Sequence, residues 1–174
     1  MTDLQYPIGK VQLIPYTEKD RDEKMADILF LPRMLEYAVL NLNEDQINTP
    51  YRDGGWTVNQ LVHHVADSHM NAFIRFKLGL TEDKPTIKPY DQNTWVTTSD
   101  VSNVPVNISI TLLHSLHHRW YELIKTLSEE QLQRTIYHPE QKREISLWNL
   151  LLIYAWHGKH HAAHITGLRE RMGW

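Results

Sequence analysis

The feature that most constrains this chain is the run Trp156-His157-Gly158-Lys159-His160-His161-Ala162-Ala163-His164, four histidines within eight residues near the C-terminus. It lies inside a stretch whose apolar residues recur at helical spacing. On a helix His157 and His161 stand one turn apart, and so do His160 and His164. An i,i+4 pair aims two imidazoles at one point, which is the arrangement a divalent metal needs. A fold that takes such a segment into its interior must also satisfy two ring nitrogens per imidazole without water.

The donor set is narrowed further by what is missing. The chain has no cysteine, which removes disulfides, a thiol nucleophile and thiolate ligands together and suits a reducing cytoplasm. Any transition metal must then be held by nitrogen and oxygen. Histidine, the commonest metal ligand, occurs 11 times and is clustered: His63, His64 and His69; His114, His117 and His118; then the C-terminal four. Net charge is −3 with histidines neutral, so no basic surface speaks for nucleic acid or anionic lipid. The N-terminus lacks the basic start and apolar run of a signal peptide, and the longest apolar run, 150–156, is too short to span a membrane. The 174 residues suit one domain, 1–174.

The chain reads as mostly helical. Residues 1–16, with Pro7, Gly9 and Pro15, suggest an extended arm. Thr17 can cap a helix reaching about Leu42, with Pro32 producing a kink or break. Residues 43–56 form a loop that ends in Asp53-Gly54-Gly55-Trp56, and a second helix runs from Thr57 to about Leu78. Residues 79–106 are a long polar connection, of the kind that is functional or crosses between helices. A third helix spans about Val106 to Leu127. Ser128 starts a short helical turn, a small hairpin turns around His138-Pro139-Glu140, and Ser146 caps a last helix to about Met172. Four long helices and one long crossover loop predict an all-α fold, a four-helix bundle.

Helical phase sorts the histidines. Leu147, Leu150, Ile153, Tyr154, Ile165, Leu168 and Met172 define the apolar face of the last helix. His157 and His161 fall near its middle, His164 lies inside it and His160 on its flank. In the second helix Val58, Leu61, Val65, Ala72 and Phe76 form the stripe. His69 is nearest its centre, His64 is on its edge and His63 points away, so phase alone selects His69 as a third ligand. One histidine on an apolar face is more often a hydrogen-bonded core residue than a ligand; an i,i+4 pair there is harder to explain without a metal. His114, His117 and His118, beside Arg119, are expected on the surface or behind the ligands. Most tryptophans, Trp56, Trp120 and Trp156 among them, are expected in the core, with Trp95 as a pocket wall. There is no His-Glu-x-x-His, no Gly-x-Ser-x-Gly and no Walker-type loop.

Two longer segments carry a resemblance. Gly55-Trp56-Thr57-Val58 through His63-His64-Val65-Ala66-Asp67-Ser68-His69 resembles the second-helix signature of the DinB/YfiT-like superfamily. The run from Trp156 to Ile165 resembles its last-helix signature. Thr49-Pro50-Tyr51-Arg52, Ile74-Arg75-Phe76-Lys77-Leu78, Lys88-Pro89-Tyr90-Asp91 and Arg171-Met172-Gly173-Trp174 bring the chain near the YfiT-type metal-dependent hydrolases. That resemblance implies a DinB-like four-helix bundle with one divalent metal per chain, held by three histidines. The second-helix ligand, eight residues after the motif tryptophan, would be His64, and the last-helix ligands would be His157 and His161. It also implies a homodimer, and some relatives transfer a low-molecular-weight thiol, bacillithiol, onto electrophiles.

Three histidines leave an open coordination position. Water there can attack an electrophile, which makes a metal-dependent hydrolase; a thiol cosubstrate ionised there makes a thiol S-transferase. The contrasting expectation is a non-catalytic bundle in which the metal staples helices or is sensed. Zinc is the first choice of metal, with nickel, manganese and iron as alternatives. Asp67 and His69 are candidates to orient the ligands through their outer nitrogens. Tyr90, Asp91 and Trp95 are candidates to shape the mouth of a site for a small-molecule substrate.

Overall fold

The computed structural model describes residues 4–174. Four long helices carry the fold: α1 (Glu18–Val39), α3 (Val58–Thr81), α6 (Val106–Lys125) and α8 (Leu147–Met172). The local signals work as their chemistry requires. Thr17 caps α1 by accepting from the Asp20 backbone N–H at 3.0 Å, and Thr57 with Gln60 closes a reciprocal capping box on α3. Ser146 caps α8, which ends on Gly173 in the left-handed conformation, φ 70°. Between the long helices lie α2 (Glu44–Ile47), α4 (Gln92–Trp95), α5 (Ser99–Asn103) and α7 (Glu129–Gln133), and the hairpin β1 (Thr135–His138) with β2 (Arg143–Ser146). The long connection is thus partly folded. It is pinned to α3 by Asn59 Nδ2 donating to the Val101 carbonyl and Gln60 Nε2 donating to that of Val96.

α1 packs against α6 and α8, and α3 packs against the same two helices. Consecutive long helices α1 and α3 are therefore diagonal in the bundle, and the crossover between α3 and α6 covers one side. No helix among the described residues is long and apolar enough to cross a membrane.

The core comes in two parts. One holds Ile28, Phe76, Trp120, Ile124 and Leu151; the other holds Leu35, Leu61, Val65, Leu113 and Ile165. Along α3, α6 and α8 the two parts are separated by histidines: 69; 117; and 157, 160 and 161. The middle of the bundle is a layer of imidazoles between two apolar clusters.

Pro32 neither breaks nor ends α1, which is continuous from Glu18 to Val39. Its ring removes the backbone N–H that would bond the carbonyl four residues earlier, that of Ile28. His117 fills the gap: its Nδ1–H donates to the Ile28 oxygen at 2.5 Å from α6. His117 is fully buried, contrary to the solvated or peripheral position expected for its cluster. The spacing Ile110, Leu113, His117, Trp120, Ile124 places it on the buried stripe of α6, a periodicity that the adjoining His118 and Arg119 obscure.

Gly158 lets α1 and α8 come together. A Cβ at this position would sit 2.3 and 2.6 Å from the two methyls of Leu31. Alanine raises helix propensity by about 1 kcal/mol over glycine, but a branched side chain held in a packed core cannot move aside cheaply. Gly158→Ala is expected to lower unfolding free energy by about 1–3 kcal/mol, read as a lower urea midpoint. The Ile28 carbonyl gives a second test. His117→Ala should cost about 1–3 kcal/mol less in a Pro32→Ala background, where a backbone N–H again satisfies that oxygen. Equal costs in the two backgrounds would show that the His117–Ile28 bond does not matter.

Candidate metal centre

The structure brings His64 from α3 together with His157 and His161 from α8. His157 Nε2 lies 3.2 Å from His64 Nε2 and 3.1 Å from His161 Nε2. One ring nitrogen from each of the three falls within 4.8 Å of the other two, so the group could hold a metal ion. Nitrogens sharing one tetrahedral ion at about 2.0–2.1 Å stand about 3.3 Å apart, so the cluster has the right dimension. A neutral imidazole carries one N–H and one lone pair, and hydrogen bonds between three converging Nε2 atoms cannot all be well made. One cation at the common point satisfies all three lone pairs.

Electrostatics keep those lone pairs free. Burial holds His64 down to about 4. It holds His157 and His161 well below the usual imidazole range, and the neighbouring histidines lower them further. The group is neutral at pH 7, as a metal ligand must be.

His69, which phase had favoured, lies behind this triad. Its Nε2 is 3.1 Å from His157 Nδ1, and it is enclosed by Tyr154, Trp120 and the parallel ring of His117, 4.9 Å away. The centre of an apolar stripe is the deepest position in the bundle; the stripe's edge, where His64 sits, borders the cavity. His157 presents Nε2 as an acceptor only if its proton is on Nδ1, where it donates to His69 Nε2. His161 Nδ1 has no partner among the described residues. The other candidate for this orienting role, Asp67, makes no side-chain hydrogen bond to any of the three; its half-buried carboxyl, pushed up to about 6 by burial and by Asp100, lies elsewhere on α3.

A cavity of about 360 Å³ opens on the triad. His157 keeps part of its ring accessible from it. Its walls include Tyr51, Arg52, Trp56, Trp156, His160 and His164. Trp56 and Trp156 are therefore half-buried wall residues, and Trp120 is the one of the three that lies in the core. His160 and His164 face each other at 3.0 Å between their Nε2 atoms. They are a second i,i+4 pair, turned away from the triad and covered by the Trp156 and Tyr51 rings. Burial lowers both, His164 to about 3 with help from His160 and from Arg52 and Arg171.

Of the loop residues expected at the mouth, Trp95 stacks on Tyr90 and Asp91 caps α4. The two residues after the cap, Gln92 and Asn93, reach the cavity instead. His63 is buried too, because the folded crossover covers that side of α3. Its Nε2–H donates to the Val104 carbonyl at 3.0 Å and its Nδ1 accepts from Ser109 Oγ at 2.8 Å. His114 is exposed, 3.7 Å from Glu36, and His118 is exposed as well.

Fold and site together define a helical bundle with an inward-facing three-histidine cluster. The chain belongs to the DinB superfamily, whose model matches residues 29–165. It is 47% identical over 173 residues to the Bacillus subtilis protein named "Putative metal-dependent hydrolase YfiT", covering 99% of this chain and 97% of that one. A Bacillus cereus protein named "Putative metal-dependent hydrolase" is 50% identical over the full length of both. The solved structure of B. subtilis YfiT, described as a probable metal-dependent hydrolase with an unusual four-helix bundle topology, superposes with a TM-score of 0.96 over 98% of each chain.

Two outcomes follow for the isolated protein. His64→Ala, His157→Ala and His161→Ala are each expected to lose bound divalent metal, read by elemental analysis after desalting, whereas His63→Ala keeps it. Metal-free protein should lose stability as pH falls. The buried imidazoles titrate well below the unfolded value of about 6.5, so beneath that pH the unfolded chain binds more protons. Stability is intact above pH 6.5 and declines toward pH 4, by up to about 1.4 kcal/mol per pH unit for each such histidine. Urea midpoints that stay level from pH 7 to pH 5 would contradict this.

Proposed function

We propose that this protein is a metal-dependent hydrolase whose metal is held by His64, His157 and His161 and whose open coordination position faces the cavity. Zinc is the preferred ion for an all-nitrogen site of this size, with nickel, manganese and iron as alternatives. The observation that carries this reading is the convergence of three neutral Nε2 atoms at the floor of a cavity large enough for a small molecule. A closed structural site normally takes four protein ligands, and no fourth ligand joins the cluster among the described residues. A divalent metal here would polarise an electrophile and lower the pKa of water at its open position to about 7.

The chain's own groups supply the rest. His69 Nε2 accepts a hydrogen bond from His157 Nδ1–H and so keeps the His157 Nε2 lone pair directed inward. Trp56 and Trp156 provide apolar walls that limit water in the cavity. No Asp or Glu lines it among the described residues, and burial holds the His160–His164 pair neutral, so a proton released at the open position would pass to solvent. That same lack favours a second reading, a thiol S-transferase, because a thiol ionises on binding a metal without a separate carboxylate base.

Turnover against an electrophile panel, with and without an added low-molecular-weight thiol, separates the two readings. For either one, activity should rise through a pKa of about 7, and His161→Ala should abolish it by removing the metal. Chelation should lower the melting temperature while helical circular dichroism persists at 25 °C, since both apolar clusters remain. The loss is about 4 kcal/mol if metal had stood at about a thousand times its Kd. An ion saturated by protein side chains, with no exchangeable water and no response to thiol, would rule out catalysis.

A further inference from the structure

Arg52 is a cation in the cavity wall without a counter-ion among the described residues. Its Nη1 donates to the Asp53 carbonyl at 3.0 Å, its Nε is buried with no hydrogen-bond partner, and no carboxylate lies within ion-pair distance among the described residues. The guanidinium lies 5.4 Å from the Tyr51 ring centroid. With Nε enclosed and Nη1 tied back, Nη2 is the donor left open to a carboxylate oxygen.

The segment that carries it is well held. The Gly55 N–H donates to the Arg52 carbonyl and the Tyr51 N–H to that of Trp56. Arg171 Nη2 donates to the Tyr51 carbonyl at 2.6 Å, and the Tyr51 ring stacks on His164 at 4.0 Å. Gly55 is needed for this packing, because a Cβ there would lie 2.9 Å from Arg52 Cγ and 3.1 Å from Tyr51 Cζ. A buried guanidinium nitrogen left unpaired is costly. The Arg52 side chain lines a cavity with no acidic wall residue among those described and with neutral histidines; a divalent metal at the triad would add two further positive charges.

We propose that Arg52 is an anion-recognition residue, and that the small molecule reaching the triad bears a carboxylate bound through the open Nη2 of its guanidinium. The assignment rests on the metal-centre reading above and deepens it. The second positive centre makes the cavity selective for anions over neutral molecules of equal size. The carboxylate belongs either to the thiol nucleophile or to the electrophile.

Cobalt-loaded protein tests both the assignment and the reading beneath it. The thiolate-to-cobalt absorption band with 3-mercapto-1-propanol reports whether the metal position is open, and the same band with 3-mercaptopropionate reports the carboxylate's contribution. Mono-4-nitrophenyl succinate against 4-nitrophenyl butyrate gives the corresponding comparison for an electrophile, read in KM. Calorimetry with succinate on metal-free and metal-loaded protein reads carboxylate binding whatever the state of the metal position. Expected is a preference of about tenfold to a hundredfold for the charged member of one pair, and for succinate binding, that collapses in Arg52→Gln and is only partly restored by Arg52→Lys. The pair that shows it names the source. Metal content and the neutral thiol's affinity should be unchanged in both variants. Charged and neutral ligands binding alike, or a preference that survives Arg52→Gln, would overturn the role of Arg52 while leaving an open metal intact. A silent cobalt spectrum with both thiols would instead overturn the open-position reading, and succinate binding that depends on Arg52 would still uphold the anion site.

Discussion

A layer of neutral imidazoles in the middle of a helical bundle is the constraint on which the rest of this structure depends. Charged, these rings could not lie between two apolar clusters; neutral, each still brings a donor and an acceptor that need partners. The structure answers in part, with backbone carbonyls, a serine hydroxyl, other imidazoles and, at one point, three lone pairs aimed at common space, while one ring nitrogen each of His69, His117, His160 and His161 is buried without a partner among the described residues. Burial thus serves both ends: it disfavours protonation, and it leaves the nitrogens in the state that binds a cation.

The supports of that layer reach into distant parts of the sequence. Pro32 frees a carbonyl in α1, His117 of α6 takes it, the parallel ring of His69 in α3 rests against His117, and His69 meets the outer nitrogen of His157 in α8. Gly158, next to that histidine, lets α1 approach closely enough for the arrangement to close. Each of the four long helices contributes one piece, so the geometry of the triad is a property of the bundle and not of the His157–His161 helix alone.

On the cavity side the balance of charge is one-sided. The polar wall residues are imidazoles, amides and one arginine with no carboxylate to answer it among the described residues. The proposed hydrolase or thiol-transferase chemistry and the proposed carboxylate subsite draw on the same setting: in a small aromatic-walled space without acidic groups, a metal at the triad would raise the acidity of a nucleophile, and Arg52 would select an anionic partner.

Much of the architecture could be read along the chain because its signals are local. Thr17 and Ser146 cap the helices expected of them, the second long helix begins beside Thr57, the hairpin turns where His138-Pro139-Glu140 placed it, and the i,i+4 geometry of His157 and His161 follows from helical rise alone. What lies opposite a residue was not legible. Phase put His69 at the centre of its stripe and His63 outside it. Yet the centre proved to be the rear of the cluster, and the crossover covers the outside. His64 meets the last-helix pair because the edge of α3 borders the cavity, a position that the family resemblance carried and periodicity did not. His117 and Arg52 were passed over for the same physical reason. Periodicity states the direction of a side chain, whereas its burial, its partner and its charge environment are decided by the element that packs against it.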